Sequence, residues 1–127
     1  QTWLARAQAT GDHEVIISAA ADYEARRGYL WKLEKHPDEP KALARLDHIC
    51  DLLGVLPICE DVLNDAARFW SDARKGGYST APERDVDWDV LVAAQAKKLS
   101  AVVVTNNSRH ISRYGVDARD WDKIPPP

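Results

Sequence analysis

The residues that could do chemistry carry side-chain oxygen atoms and follow short apolar runs of the sequence. Ligands of open parallel sheets bind beyond the carboxyl ends of the strands, so polar residues at these points are candidates for a common site. One such residue follows the run at 15–17, and others lie at the start of an apolar helical segment or directly after the run at 102–104. These residues are Glu24, Asp85, Asp87, Asp89, Thr105, Asn106 and Asn107. We expect their oxygen atoms to converge at one edge of a sheet.

Each of these residues also has an ordinary structural interpretation, which the sequence leaves open. Asp85 and Asp87 suit the first turn of a helix as caps or dipole partners. Glu24 suits a solvated helix face, and Asn107 suits a turn. Asp89 is less easily explained, because it adjoins the apolar run VLVAA, where an inward-facing carboxylate needs a metal ion or a hydrogen-bond partner.

The pattern of apolar residues predicts alternating strands and helices. Strands are expected at 15–17, 55–58 and 102–104, with a last short strand near Val116. The predicted helices are one from Ser18 to His36, one over Lys41–Leu53, one capped by Asp61 and ending at Gly76, and one that opens in DVDWD and runs to Leu99. This order predicts an α/β fold, a three-layer sandwich with a parallel sheet and right-handed crossovers.

Length and composition favour one domain over residues 1–127. No run approaches the roughly 20 apolar residues of a membrane span, so we expect a cytoplasmic protein with no membrane partner. The net charge of −3 excludes an overall basic, nucleic-acid-coating protein.

Cys50 and Cys59 are expected to be buried thiols. The segment 1–10 is typical of a helix tail, which suggests that the chain is truncated at its N-terminus.

The segments DVDWDVLVAAQA, VVVTNNSRHISRYGV and DARDW together resemble the C-terminal half of PIN-domain ribonucleases, especially the VapC-type toxins of type II toxin–antitoxin systems. ISAAADYEARRGYL is similar to the second motif of that family, a strand followed by a helix that carries a Glu. The resemblance covers nearly the whole chain. It implies a PIN-like fold and a metal-dependent endoribonuclease that hydrolyses RNA phosphodiester bonds.

The resemblance also implies roles for individual residues. Glu24, Asp89 and Asn107 match the family's acidic or amide ligands, Asp87 matches a frequent extra acidic residue, and Thr105 matches the Thr that braces the site. The resemblance implies that the catalytic side chains, those of Glu24, Asp87, Asp89 and Asn107, would hold Mg²⁺ or Mn²⁺, which are hard cations that prefer oxygen ligands. Such ions bridge an acidic cleft to RNA, which accommodates the negative net charge. The resemblance further implies a cognate antitoxin and a homodimer.

One departure from the family pattern favours an alternative. The first strand of the family, which ends in an Asp ligand, has no counterpart in this sequence. The alternative hypothesis is therefore a catalytically impaired PIN-like module that binds RNA or a protein partner, which the neutral Asn107 also favours. A phosphoacceptor receiver domain shares the α/β order but is disfavoured, because no acidic pair follows a first strand and no Lys follows the last strand.

Basic and aromatic residues near the motifs have two interpretations each. Arg26 and Arg109 are candidates for contacts with RNA phosphates, as are Arg27 and Arg113, although all four also suit a solvated face. His110 is expected to be a packed or surface residue. The tryptophans are expected to fill cores and interfaces, with Trp31 and Trp70 on the apolar faces of their helices. These residues are Trp3, Trp31, Trp70, Trp88 and Trp121.

Overall fold

The computed structural model describes residues 9, 11, 13–38, 40–82 and 87–124, in which helices alternate with very short strands. The elements in chain order are β1 Ile17–Ser18, α1 Ala19–Lys35, α2 Lys41–Leu53, β2 Val55–Leu56, α3 Glu60–Lys75, α4 Trp88–Leu99, β3 Val103–Val104, α5 Ser108–Ser112 and β4 Ala118–Arg119, followed by a 3₁₀ turn at Trp121–Lys123. None of the helices in these described ranges is long and apolar enough to cross a membrane.

Both strand pairs are parallel. β1 pairs with β2, with Ile17 opposite Val55, and β3 pairs with β4, with Val103 opposite Ala118. The predicted α/β class with parallel strands is confirmed. The predicted strand at 55–58 ends earlier, at Leu56, because the next residue is a proline that has no N–H for a ladder. The expected helix tail at 1–10 and the question of a missing first strand lie outside the described residues, apart from Ala9.

The chain divides into two compact units, a smaller unit of Val15–Pro57 and a larger unit of Gln1–Glu14 and Ile58–Pro127. In the smaller unit, α1 begins as predicted, because the Ser18 side chain accepts a hydrogen bond from the amide of Ala20 at 3.1 Å. Arg26 of α1 reaches Asp47 of α2 at 2.6 Å and Asp22 of α1 at 3.0 Å. This shared cation fastens the two helices to each other.

The larger unit is built around α4, whose residues 90, 91 and 93–96 are all buried. Ala93 is 0% exposed and Ala94 1%, and these small side chains let α3 pack closely against the helix. α3 contributes the buried residues Val62, Ala66 and Ala73 to the same core. The end of α4 that carries Asp89 is thus part of the most firmly packed helix of the unit.

Three details of the sequence predictions are wrong. The cap of α3 is Cys59, not Asp61, because the backbone is extended at Cys59 and turns helical at Glu60, which places Asp61 inside the first turn. Cys59 is consequently exposed at that cap, whereas Cys50 is partly buried between α1 and α2. Trp31 is 60% exposed rather than packed on an apolar helix face, and the ammonium of Lys35 lies 4.7 Å from its ring centroid.

Candidate functional site

Asp89 and Asn107, from two separate motifs, meet in the larger unit. Asp89 lies in the first turn of α4 and is partly buried, and Asn107 lies between β3 and α5. The Asn107 amide Nδ2 donates a hydrogen bond to Asp89 Oδ2 at 3.2 Å. The expected partner of the Asp89 carboxylate is therefore present in the fold itself, in the form of a neutral amide.

Thr105 shapes the turn that carries Asn107. Its hydroxyl accepts a hydrogen bond from the Asn107 backbone N–H at 3.0 Å, and its own N–H donates to the Arg119 carbonyl at 3.0 Å. The first bond closes a short side-chain-to-backbone turn, and the second attaches that turn to β4. Asn107 is thus held at the end of β3, which is where a parallel sheet presents its ligands.

Asp87 acts as the N-cap of α4 and binds three donors. Its Oδ1 accepts from the Val90 amide at 3.2 Å, and its Oδ2 accepts from the Ala81 amide at 3.3 Å and from the Tyr114 hydroxyl at 2.9 Å. Tyr114 is 8% exposed. Both carboxylate oxygens are therefore engaged in positioning the helix terminus, the loop before it and the segment after α5.

The electrostatics of the site are those of a carboxylate pair that is partly removed from water. Burial, and then the nearby charge of Asp87, raises the pKa of Asp89 above its ordinary value, whereas His110 and the Asn107 amide oppose the rise. Burial and the hydrogen bond to Asp87 also raise the pKa of Tyr114. A cation placed near Asp89 would relieve the cost of ionising it.

The side-chain oxygen atoms near Asp89 and Asn107 are of the type that a hard cation prefers, but there are few of them. No group of three His, Cys, Asp or Glu side chains that could hold a metal ion occurs among the residues that the structure describes. Asp89 supplies a partly buried carboxylate, and Asn107, whose Nδ2 faces that carboxylate, would supply its amide oxygen only after the amide turns over. Since Mg²⁺ is commonly held by one or two carboxylates, with water and phosphate oxygens completing its shell, these donors fit a minimal site for such an ion.

The other candidate residues are distributed over the two units. Glu24 is exposed on α1 of the smaller unit, and Arg26 of the same helix is occupied by its two carboxylate partners. Arg109 is exposed in α5 of the larger unit, directly after the Asn107 turn. The metal-ligand role of Glu24 and the phosphate contacts of Arg26 and Arg109 stay predictions, and Asp85 lies outside the described residues.

The sequence did not single out Tyr114 or the position of His110. Tyr114 falls in a segment with no clear periodicity, and its contact with Asp87 joins residues 27 positions apart. His110 affects the ionisation of Asp89 because α5, a five-residue helix that the sequence did not predict, follows the Asn107 turn. The only sequence signal for either residue was its closeness to the TNN motif.

Solved structures of toxin–antitoxin complexes share this fold. They include VapBC-1 from nontypeable Haemophilus influenzae, with a TM-score of 0.68 and 17% identity over 92% of this chain and 84% of that chain. DNA-bound VapBC from Salmonella typhimurium has a TM-score of 0.67 and 25% identity over 84% and 74% of the two chains. VapBC2 from Rickettsia felis, bound to a promoter DNA fragment, has a TM-score of 0.71 and 18% identity over 91% and 80%.

Neither a protein-family model nor a curated protein sequence matches the chain. The likeness therefore lies in the three-dimensional structure, and it extends over most of this chain and of each neighbour. The chain has the α/β, PIN-like fold of these VapC-type neighbours.

Proposed function

We propose that this protein is a metal-dependent endoribonuclease of VapC type that hydrolyses RNA phosphodiester bonds with Mg²⁺ or Mn²⁺. The observation that carries the proposal is the meeting of Asp89 and Asn107 at the end of β3, in a fold shared with VapBC complexes. The negative charge of Asp87 beside the partly buried Asp89, whose pKa burial and Asp87 raise, favours binding of a cation at this position.

In this proposal some residues are ligands of the ion and others hold those ligands in position. Asp89 and, after the amide turns over, the oxygen of Asn107 would bind the ion. The ligand role of Glu24, in the smaller unit, stays a prediction from the sequence. Bound there, a divalent cation supplies a water molecule of lowered pKa and neutralises charge on the phosphoryl oxygens. Asp87 fixes the helix end that carries Asp89, and Thr105 fixes the turn that carries Asn107.

The test is cleavage of a mixed RNA pool by the purified chain with Mn²⁺. We expect cleavage that is abolished by EDTA and by Asp89→Asn, which keeps the size of the side chain but removes its charge. Asp61→Asn is the matched control, because Asp61 lies in the first turn of α3 and is bonded to Lys98 rather than to the site. Cleavage that survives in Asp89→Asn would contradict the proposal.

A second candidate is a module that binds RNA or a protein partner without cutting. Two observations favour it: Asn107 is neutral, and both oxygens of Asp87 already accept hydrogen bonds. Thermal unfolding with and without Mn²⁺ separates the two candidates. For the enzyme, Mn²⁺ at ten times its Kd should raise Tm by about 5 °C, and Asp89→Asn should remove the increase. Equal Tm values in both conditions would favour the binding module.

The proposal includes a protein partner. The neighbouring structures are complexes of two different proteins, several of them bound to DNA. By this likeness we infer that the chain binds a cognate antitoxin and forms a homodimer. Light scattering coupled to size-exclusion chromatography measures the second inference directly, and a mass equal to one chain of 14.2 kDa at micromolar concentration would contradict it.

A further inference from the structure

An exposed aromatic residue lies next to a cation in the larger unit, outside the set of residues considered so far. Tyr78 is 51% exposed, although it follows directly on the well-packed helix α3. The guanidinium carbon of Arg113 lies 5.9 Å from the centroid of its ring. A flat ring in water beside a positive charge is the arrangement that proteins use to bind unpaired bases and their phosphates.

The backbone holds Tyr78 firmly in spite of this exposure. Gly77 adopts a φ of 82°, a left-handed conformation that reverses the chain after α3. The Tyr78 amide then donates to the Ala73 carbonyl at 3.0 Å. Carbon Cδ2 of the ring lies 3.6 Å from the place that a Cβ on Gly76 would occupy, so the ring rests against the backbone of that glycine. The backbone that carries the ring is therefore held in place by a hydrogen-bonded turn.

The segments that carry Tyr78 and Arg113 each contain a residue that donates a hydrogen bond to the Asp87 carboxylate. Ala81, three residues after Tyr78, donates its amide hydrogen to Asp87, and Tyr114, the residue after Arg113, donates its hydroxyl hydrogen to the same Oδ2 atom. Three residues span at most about 11 Å. Tyr78 and Arg113 therefore lie in the same unit as Asp89, on the two segments that are bonded to the cap of its helix.

We propose that Tyr78 and Arg113 form a subsite for single-stranded RNA, in which one unpaired base stacks on the face of the exposed Tyr78 ring opposite Arg113, and Arg113 contacts an adjoining phosphate. This inference rests on the proposed function, because it assigns the form of the RNA substrate. In a duplex the bases are already stacked on each other and their faces are closed to a protein ring. The subsite therefore selects unpaired RNA and positions it beside Asp89.

The first experiment measures binding without metal, in EDTA, by the fluorescence anisotropy of a labelled single-stranded RNA and of a labelled RNA duplex. We expect Tyr78→Leu to weaken binding of the single strand about tenfold and Tyr78→Phe to leave it within about twofold, because Phe keeps the stacking face. Binding of the duplex should not change. Arg113→Gln should lower the slope of log affinity against log salt concentration by about one.

The matched control is Trp31→Leu, which removes another exposed aromatic ring beside a cation, on α1 of the smaller unit. We expect no change in affinity for the single strand. Three results would overturn the subsite: wild-type affinity in Tyr78→Leu, an equal loss in Trp31→Leu, or a wild-type chain that does not bind single-stranded RNA. Circular dichroism of each variant establishes that it is folded.

The second experiment separates the subsite from the proposed function. In Mn²⁺-dependent cleavage of a single strand, Tyr78→Leu should raise KM about tenfold and leave kcat nearly unchanged, because the ring binds substrate away from the reacting bond. Cleavage with an unchanged KM in Tyr78→Leu would overturn the subsite and leave the nuclease intact. Binding that shows the expected effects without any cleavage would refute the nuclease and support the subsite.

Discussion

Asp87 is expected to be the residue of the candidate site on which the stability of the metal-free protein depends most. It accepts hydrogen bonds from the amides of Val90 and Ala81 and from the hydroxyl of Tyr114, so its removal frees three donors from three segments of the larger unit. The Tyr114 hydroxyl is the most costly of these donors to leave without a partner, because the residue is 8% exposed.

The magnitude follows from these contacts. Loss of a helix N-cap costs about 1 kcal/mol, and a buried hydroxyl left without its charged acceptor costs about 1–2 kcal/mol. With a smaller contribution from the Ala81 amide, we expect Asp87→Ala to lower the free energy of unfolding by about 3 kcal/mol. In a chain of 127 residues this lowers Tm by about 10 °C. Asp87→Asn keeps an acceptor oxygen and the cap, and should cost about 1 kcal/mol.

Urea unfolding in EDTA measures these changes, and a double-mutant cycle with Tyr114→Phe isolates the hydroxyl–carboxylate bond. We expect a coupling energy of about 1 kcal/mol between the two positions. Asp61→Ala is the control, because the side chain of Asp61 is 79% exposed in its ion pair and should contribute little. A loss below about 0.5 kcal/mol in Asp87→Ala, or no coupling to Tyr114, would refute the assignment of Asp87 as a positioning residue.

Three further outcomes are expected. Burial raises the pKa of Tyr114 in the folded chain. The stability that its neutral hydroxyl contributes is therefore complete below pH 10 and is lost as the pH rises further. In urea unfolding across this pH range, the free energy of unfolding should fall less in Tyr114→Phe than in the wild type. Ala93→Leu should lower the free energy of unfolding by about 1–3 kcal/mol in urea, because Ala93 is 0% exposed between packed helices. In RNA binding at several salt concentrations, Arg109→Gln should reduce the salt dependence more than Arg26→Gln, because Arg26 is already paired with two carboxylates.

The sequence predicted the elements whose signals are local. Ser18 was recognised as a cap and α2 was placed at its observed bounds, because both follow from capping chemistry and from apolar residues at three- and four-residue steps. The cap of α3 was misplaced by two residues. Both Cys59 and Asp61 lie near the start of that helix, and the preference for Asp as a cap was overridden because the backbone is extended at Cys59 and turns helical at Glu60.

The candidate site was predicted only in part, because its geometry depends on contacts between distant segments. The sequence identified Asp89 and Asn107 as residues of one site, and their hydrogen bond joins two elements that the α/β pattern already placed together. The three-way binding at Asp87 was not predictable, since the positions of Ala81 and Tyr114 depend on a loop and on a short helix that have no periodic signal. Tyr78 was not predicted as a functional residue either, because it lies in the same loop region without a periodic signal.

The amide at position 107 sets a trade-off between resting stability and affinity for a cation. As Asn, the side chain donates a hydrogen to the Asp89 carboxylate and adds no charge beside it. Asn107→Asp would replace that donor with a third negative group next to a pair in which Asp87 already raises the pKa of Asp89. The variant would gain a charged ligand for a cation, but without a cation its three carboxylates would repel one another. Under the proposed function, the natural Asn107 thus gives a weaker ligand and a site that costs less to leave without a cation.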